Sequence, residues 1–511
     1  MLIFNLIFFI FFSFFNIYAS GEFSYLYNAS FTFNEGVPLI RVNAGEYSIP
    51  FSVKAEGKLE CGSKKIAHKG SFSILLNNFE KETVHYRISL RELSRKELPA
   101  YSNIIKKLSE KSGLQLELFV HGGIFSIRGK KIDNRQYYLV LKQTFNVEKV
   151  SGIINKLRKK FPENNILSIP VMLKSAKWEI VIENGEKNVI CKDILTFYPD
   201  KHFSIGKKTF PSAHNIYFIP RNNAKIALVV EEDIENIIPR ILPGEMFASA
   251  PLETLKAQAV AARSDIFLQL GKRHTTDPWH ICSEVHCQKV LWNNESINHR
   301  FHTATEKTKG MILLYNDKFV ARAPYCSTSG GHTEDIRNVW FTAEVPYLKG
   351  VWDGEKDLEL DLTVRKDIET FLKTDYGEDN IPLNKRHRWK KQIKNNDFQA
   401  LLSGLGIGKI EKLIPEKRGV SGRIYVLTIK GSKGSKTVYG ELNIRRLLDN
   451  MYSSLFIDSR KKNGDWVFRG AGWGHGVGMS QMGAISLGKK GKNFRFILKR
   501  YYPGTETTTL Y

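Results

Sequence analysis

The sequence lacks the features that mark nucleic-acid and nucleotide binders, although its net charge of +24 predicts an acidic partner. Lysine and arginine are dispersed along the 511 residues, with no arginine-rich arm and no zinc-finger or RNA-binding signature. The glycine-rich segment near the C-terminus has neither the glycine spacing of a dinucleotide-binding motif nor the ending of a P-loop. The expected partner is therefore an anionic lipid or an anionic cell-wall polymer, and we do not expect nucleic acid.

Long hydrophobic runs are missing after the first twenty residues. Residues 1–19 are dominated by Phe, Ile and Leu, and such a terminal run indicates a secretory signal, here with cleavage after Ala19. Its first residues contain no Lys or Arg, and the run is also long enough to stay as a membrane anchor through residues 2–19. Both alternatives, within a segment of residues 1–20, predict export to the periplasm, the extracellular space or the cell wall.

Cysteine is scarce, and its number, five, is odd, so disulfides cannot pair every cysteine. Two of the five belong to a group of potential metal ligands within a short stretch: His274, His280, Cys282, His286 and Cys287. Thiolate and imidazole are the ligands that zinc prefers, and four of them make a closed tetrahedral site. The alternatives are a disulfide between the two cysteines, which suits an exported protein, or no bond.

The alternation and turn patterns predict an α+β chain of several domains. Residues 21–83 are expected to form a β-rich unit, and residues 171–222 a connecting β unit. Residues 84–170 show a β-α-β-β-α-β order that is similar to SPOR-type domains, small modules that bind denuded peptidoglycan glycan; a structural α+β domain is the alternative. In the largest unit, residues 223–511, we expect the lysine-rich residues 356–414 to be a solvated helical insertion, with a surface for acidic polymer as the alternative.

One glutamate stands apart because it is the only acidic residue between Glu235 and Glu253. Glu245 lies in a predicted PGEM turn with apolar neighbours, and an amphipathic helix is expected to begin near Pro251. A carboxyl in apolar surroundings has a raised pKa and stays protonated near neutral pH, as a general acid requires. An ordinary solvated turn glutamate is the alternative.

Two segments rich in glycine and polar residues are predicted to be loops. The first reads STSGGHTE from Ser327, and the second reads GWGHGVGMSQMGA from Gly472. Paired glycines allow backbone conformations with positive φ and close approach of a ligand. The alternating glycines of the second segment exclude a regular element through its first half. A purely structural loop is the alternative for each.

These stretches resemble the SpoIID/LytB family. Its members carry a PxEM turn, a helix containing LKAQAVAAR, an S-x-S/C-GG-x-T-E loop and a GxGHGVGMSQ-GA signature. Here the turn begins at Pro243, the helical motif begins at Leu255, and the chain ends with a family-like YYPG from Tyr501. The resemblance extends over residues 226–511. It implies a SpoIID-type catalytic domain, and the best-understood relatives are lytic transglycosylases that act on glycan strands stripped of stem peptides.

The resemblance implies that Glu245 is the catalytic acid. It would protonate the glycosidic oxygen between N-acetylmuramic acid and N-acetylglucosamine, and then act as base while the C6 hydroxyl closes a 1,6-anhydro end. We expect the helix and the two loops to bind the sugars through Lys256, Gln258, Arg263, Ser327, Ser329, His332, Glu334, Trp473, His475, Ser480 and Gln481. Glu334 is also the nearby candidate for the second carboxylate that plain hydrolysis needs.

The resemblance also implies a structural Zn²⁺ held by His274, Cys282, His286 and Cys287, with His280 as a substitute for His274. Four protein ligands leave no position for an attacking water. The expected partners are peptidoglycan glycan strands. The main alternative function is a non-catalytic wall-binding modifier of amidases, as in LytB-type members, whose partners would include amidases or other wall-remodelling proteins. A zinc hydrolase and a nucleic-acid binder are the remaining alternatives.

Overall fold

The computed structural model of the chain describes residues 32–184, 187–221, 225–284, 287–292 and 297–511. The predicted signal or anchor segment, residues 1–20, lies outside the described residues, and so does His286 of the predicted metal cluster. Within the described part of the chain, no helix is both long enough and apolar enough to cross a bilayer.

Alternation of buried and less buried side chains builds the first antiparallel strands. In the third strand every second residue from Val53 to Cys61 is buried, as a sheet with one covered face requires. Gly62 turns the chain into the next strand with a φ of 56°, a conformation that favours glycine. The strands are β1 (Phe33–Asn34), β2 (Val37–Ser48), β3 (Phe51–Cys61) and β4 (Lys64–Glu80).

A small α+β unit follows, with the β-α-β-β-α-β order predicted for residues 84–170 and one additional hairpin. Its elements are β5 (Thr83–Leu93), α1 (Tyr101–Ser112), β6 (Leu116–His121), β7 (Ile124–Ile127), β8 (Lys130–Asp133), β9 (Gln136–Leu141), α2 (Val147–Lys160) and β10 (Ser168–Lys174). Four strands form an antiparallel sheet in the order β10-β5-β9-β6. Both helices pack on one face of it, around Ile88 and Leu157.

The opposite face of this small sheet is partly covered by the C-terminal half of the chain. Glu92 and Tyr138 are cross-strand neighbours, and Glu92 forms an ion pair with the guanidinium of Arg322. Asn134, in the turn before β9, donates a hydrogen bond of 2.8 Å to the carbonyl of Phe267. The part of the sheet around Tyr138 is therefore occupied by protein contacts.

The strands before and after the small unit form one twelve-stranded sheet. The later strands are β11 (Lys177–Asn184), β12 (Lys187–Cys191), β13 (Leu195–Pro199), β14 (Phe203–Ile205), β15 (Lys208–Phe210), β16 (Asn215–Arg221) and β17 (Lys225–Asp233). Its main order is β1-β2-β17-β16-β13-β3-β4-β11-β12. The small unit is thus inserted between the paired strands β4 and β11, and β17, which was expected to open the C-terminal domain, belongs to this sheet.

A disulfide that the sequence did not predict links Cys61 and Cys191, 130 residues apart. It lies where β12 ends beside β3, and both cysteines are buried. The two cysteines are too far apart in the sequence for their pairing to be predicted from it. Disulfides persist in oxidising compartments, so this bond agrees with the expectation of export.

The predicted PGEM turn is helical, and the predicted amphipathic helix is buried on nearly every side. The elements of this region are α3 (Ile234–Glu245), α4 (Leu252–Gln269), β18 (Ile281–Cys282), α5 (His299–Glu306), β19 (Met311–Tyr315), β20 (Phe319–Val320), β21 (Tyr325–Cys326) and α6 (Ile336–Trp340). The polar residues Gln258, Arg263 and Ser264 of α4 are fully buried with the alanines. Small side chains let neighbouring helices approach α4 closely, which a pattern of polar and apolar residues does not reveal.

The lysine-rich residues 356–414 do not form the expected solvated helical insertion. Residues 356–414 contain α7 (Arg365–Phe371), β22 (Arg388–Ile393), α8 (Asn395–Leu402) and the first part of β23 (Ile410–Arg418). The residues that follow form β24 (Ile424–Gly431), β25 (Gly434–Tyr439), α9 (Glu441–Leu447), β26 (Phe456–Arg460) and β27 (Trp466–Ala471). Two three-stranded sheets, β22-β27-β26 and β23-β24-β25, share a core that includes Trp389 and Trp466. On the strands of this region, Lys390 and Lys412 are exposed, whereas their apolar neighbours Trp389 and Leu413 are buried.

The last helices pack against α4, and the last two strands each pair with a strand from the preceding region. They are β28 (Met479–Ser480), α10 (Gln481–Lys489), α11 (Phe494–Tyr501) and β29 (Thr505–Thr509). β28 pairs in parallel with β21. β29 completes the sheet β29-β19-β20-β8-β7, in which the hairpin of the small unit is paired with the C-terminal half.

Candidate active site

The two predicted glycine loops lie against each other because β21 and β28 pair next to them. Thr328 and Trp473 exchange backbone hydrogen bonds of 3.2 and 3.0 Å. Gly330 has a φ of 78°, and a Cβ atom there would lie 2.6 Å from the backbone nitrogen of Gly472. Glycine is therefore required at this contact, since a side chain would separate the loops.

Glu245 lies beside these loops, where α3 ends and α10 begins. Its Oε2 atom is 3.5 Å from Nε2 of Gln481, the first residue of α10. The same nitrogen is 3.5 Å from Oε1 of the buried Gln258 on α4. Among the described residues the Nε2 of Gln258 has no hydrogen-bond acceptor. The structure thus brings together three of the residues predicted for the site.

The carboxyl of Glu245 ionises less readily than that of an ordinary glutamate. Burial is the main reason that its pKa is raised from 4.5 to about 7. The negative charge of Asp265 acts in the same direction, while the hydrogen bond from Gln481 and the charge of Lys289 oppose it. The C-terminal end of a helix, where Glu245 is placed, also disfavours negative charge. The raised pKa agrees with the expectation from its apolar neighbours, and it lets this carboxyl carry a proton near neutral pH.

Two further residues act on Glu245, and neither was predicted. Asp265 lies on α4 two turns after Gln258 and hence on the same face; burial raises its pKa, and Gln288 donates to it at 3.2 Å. Burial and the negative charge of Glu245 raise the pKa of Tyr325 well above its ordinary value. The seven-residue spacing from Gln258 could have identified Asp265, because it places both side chains on one face of α4. Nothing in the sequence distinguishes Tyr325 from other strand tyrosines.

Several predicted sugar-binding residues support the loops from within. The buried hydroxyl of Ser329 donates to Asp353 at 2.6 Å. The hydroxyl of Ser480 caps α10 by accepting from the nitrogen of Gly483 at 3.3 Å, and it accepts from the nitrogen of Ser329 at 3.2 Å. His332 is 6% exposed, and burial lowers its pKa to about 4. These side chains fix the shape of the loops.

Glu334 is a structural carboxylate in this fold. It is 1% exposed, and its oxygens accept from the hydroxyl of Ser421 at 2.5 Å, from Asn338 at 3.0 Å and from the backbone nitrogen of Val420 at 3.1 Å. A carboxylate with its lone pairs occupied in this way has none to offer to a sugar or a water. Asp265 is the carboxyl whose charge acts on Glu245.

The two cations predicted on α4 have protein partners. Arg263 is fully buried and forms an ion pair of 2.7 Å with Glu235. Lys256 lies 2.5 Å from Glu253, one turn earlier. The partner of Lys256 is on the same helix, whereas that of Arg263 is on α3. The structure does not place either cation with Glu245.

Trp473 is the most exposed residue of the two loops. Trp473 is 48% exposed, and Ser327 is partly exposed. His475 packs 4.9 Å from Trp340, ring to ring, and its Nδ1 accepts from the backbone of Val477 at 3.0 Å. Burial lowers the pKa of His475 to about 4, so its ring is neutral at physiological pH.

Three of the four predicted metal ligands form a cluster beside the large sheet. One ligand atom each from His274, Cys282 and Cys287 lies within 4.8 Å of the others, and neither thiol is in a disulfide. Asp277 lies 2.9 Å from Nδ1 of His274 and leaves Nε2 directed at Cys287, 3.3 Å away. A carboxylate behind a ligating imidazole is a common feature of metal sites.

His280 is not in this cluster, contrary to its suggested role as a substitute. Its Nδ1 accepts from the backbone nitrogen of Arg41 at 3.1 Å, in the neighbouring strand β2. The donor set of one imidazole and two thiols suits a soft divalent cation such as zinc. The cluster therefore fits a metal, without identifying which metal it holds.

Known proteins similar to this chain match the region that contains the candidate active site. Residues 222–315 match the family model described as Stage II sporulation protein. The chain is 29% identical over 290 residues to Stage II sporulation protein D of Bacillus subtilis (strain 168), covering 53% of this chain and 74% of that protein. It is 30% identical over 298 residues to the amidase enhancer of the same organism. These matches support membership of the SpoIID/LytB family.

The match to the amidase enhancer covers 53% of this chain but only 40% of the enhancer. An uncharacterized protein of Brachyspira hyodysenteriae is 27% identical over 298 residues, 57% of this chain and 71% of that protein. Residues 334–478, which include both three-stranded sheets, match a domain of unknown function, DUF8618. The relatives that match about 290–298 residues of this chain therefore carry different names.

Proposed function

We propose that this protein is an exported peptidoglycan lytic transglycosylase that cleaves the bond between N-acetylmuramic acid and N-acetylglucosamine in glycan strands. The observation that supports this most directly is the carboxyl of Glu245, partly buried beside the glycine loops with a pKa near 7. Such a group can donate and accept a proton within one reaction cycle at neutral pH.

In the proposed reaction, protonated Glu245 gives its proton to the glycosidic oxygen as the bond from C1 to that oxygen breaks. The C6 hydroxyl of the same muramic acid then forms a bond to C1, and its proton passes to Glu245. Gln481, 3.5 Å away, orients the carboxyl through its amide. The product carries a 1,6-anhydro end and no water is consumed.

Hydrolysis at the same site is the nearest alternative, and it would need a second carboxylate. Asp265 is the better candidate for that role because its charge acts on Glu245. Glu334, the residue first considered, has its oxygens occupied by donors from the neighbouring chain segment. Hydrolysis and transglycosylation differ in whether an oxygen atom from water enters the new end.

A non-catalytic amidase modifier is the second candidate function. It is favoured by the relative named amidase enhancer and by the exposed Trp473, which suits binding of a sugar as well as cleavage. In that case glycan would bind and no linkage would break. Amidases or other wall-remodelling proteins would be the partners.

We also propose that the His274 cluster holds a structural zinc with Cys282, Cys287 and His286. Zinc with four protein ligands stabilises local structure and has no open position for substrate. Asp277 would orient His274. The net charge of +24 and the disulfide support an exported protein that meets an anionic wall.

The test is mass spectrometry of denuded glycan after incubation with the protein in ¹⁸O-labelled water. A transglycosylase yields 1,6-anhydro ends without ¹⁸O. A hydrolase yields reducing ends that contain ¹⁸O, which would overturn the proposed reaction. Intact strands that nevertheless bind the protein would favour the modifier.

A further inference from the structure

An unassigned cation lies beside the exposed tryptophan of the second loop. The ring of Trp473 is 5.9 Å from the ring of Tyr452, in an edge-to-face arrangement. The guanidinium carbon of Arg386 lies 3.9 Å from the centre of the Tyr452 ring and 5.9 Å from that of Trp473. One guanidinium is thus stacked on an aromatic pair whose outer member is half exposed.

The backbone fixes these three residues to the loops of the candidate active site. The nitrogen of Gly472 donates to the carbonyl of Arg386 at 2.9 Å, and the nitrogen of Gly474 donates to the carbonyl of Tyr452 at 2.9 Å. Trp473, between these glycines, is paired with the first loop. The aromatic pair and the cation are therefore held on the same loops as Ser480 and Gln481.

Among the described residues, no carboxylate forms an ion pair with the guanidinium of Arg386, which stacks on the aromatic pair instead. The Nε atom is buried without an acceptor. A buried donor without a partner is costly, and the planar guanidinium fork is suited to a carboxylate.

We propose that Arg386, Tyr452 and Trp473 bind a sugar that carries a free carboxylate, with Trp473 stacked on the ring and Arg386 paired with the acid. This rests on the proposed function, because in a peptidoglycan strand that acid is the lactyl carboxylate of muramic acid. A stem peptide converts this carboxylate to an amide and removes its charge. Arg386 is then the residue by which the protein distinguishes strands without stem peptides from strands that carry them.

The test measures binding in the Glu245→Gln protein, so that no strand is cleaved. Two ligands are compared by calorimetry: a glycan fragment with free lactyl carboxylates, and the same fragment after conversion of these groups to methylamides. We expect the acid form to bind about tenfold more tightly, the size of one charge-assisted hydrogen-bonded pair. Adding Arg386→Gln should abolish this preference and leave the affinity for the amide form unchanged.

Two further variants separate the effect from general charge and from misfolding. Lys390→Gln removes an exposed cation from the neighbouring strand β22 and should preserve the preference. Arg386→Lys keeps the charge without the planar fork and should keep a reduced preference, which tests the proposal even if Arg386→Gln does not fold.

The proposal is overturned if the parent protein binds both forms equally, if Arg386→Gln keeps the preference, or if Lys390→Gln loses it to the same extent. These outcomes concern binding alone. Failure of the proposed reaction would appear instead as the absence of 1,6-anhydro ends from the wild-type protein.

Discussion

Replacing Glu245 by glutamine should stabilise the folded protein at alkaline pH. Folding holds the proton of this carboxyl up to about pH 7, whereas the unfolded chain releases it near the ordinary value of 4.5. The contribution of the carboxyl to stability is therefore complete below about pH 4.5 and is lost as the pH rises to about 7. A glutamine cannot ionise and avoids this loss.

The size of the effect follows from the two pKa values. The difference between 7 and 4.5 corresponds to about 3 kcal/mol at about 1.4 kcal/mol per pH unit. Because the carboxyl is partly exposed, water reduces this, and we expect Glu245→Gln to raise the free energy of unfolding by about 1–3 kcal/mol at pH 8. At pH 4 the gain should nearly vanish.

Urea unfolding at pH 4 and pH 8, followed by tryptophan fluorescence, measures this difference. Glu306→Gln is the matched control, since Glu306 is an exposed glutamate at the end of α5 in the same half of the chain. It should show no pH-dependent gain. An equal gain for the two variants, or none for Glu245→Gln at pH 8, would refute the claim that folding desolvates this carboxyl.

Three further predictions concern the surroundings of Glu245 and the two cysteine sites. Asp265→Asn removes a negative charge that raises the pKa of Glu245, so the alkaline limb of the rate of glycan cleavage should move to lower pH; an unchanged limb would show that the two carboxyls do not interact. Replacing Cys61 and Cys191 together by alanine opens a loop of 130 residues, and chain entropy predicts a loss of up to about 5 kcal/mol of stability, measured by thermal unfolding; equal stability with and without reductant in the wild type would contradict it. Elemental analysis should find one zinc per chain in the wild type and none in Cys282→Ser, and zinc-free wild-type protein would exclude the metal.

Local chemistry was readable from the sequence because it depends on near neighbours. The apolar neighbours of Glu245 in the chain predicted a raised pKa, and the structure gives the same direction through burial of the carboxyl, to which the charge of Asp265 adds. The β24–β25 hairpin is local in the same sense, because two strand patterns flank the glycine-rich turn at residues 431–434. The glycines predicted that a ligand could approach the backbone closely, whereas the contact between Gly330 and the backbone of Gly472 in the other loop was not predicted.

Partners that are distant in the sequence could not be predicted in this way. The carboxylate of Glu334 is saturated by Ser421, which is 87 residues further along the chain, and Arg263 is paired with Glu235 on another helix. Both looked like site residues because the motif marks their positions without showing their partners. Burial of polar side chains between packed helices is set by the whole fold, and only coordinates reveal it.

The rate at which 1,6-anhydro ends form from denuded glycan, compared between wild type and Glu245→Gln, tests the central claim most directly. Removal of a general acid that is also the base should lower the rate by at least about a hundredfold, while Glu306→Gln keeps the wild-type rate. Anhydro ends formed by the Glu245→Gln protein at the wild-type rate would contradict the account.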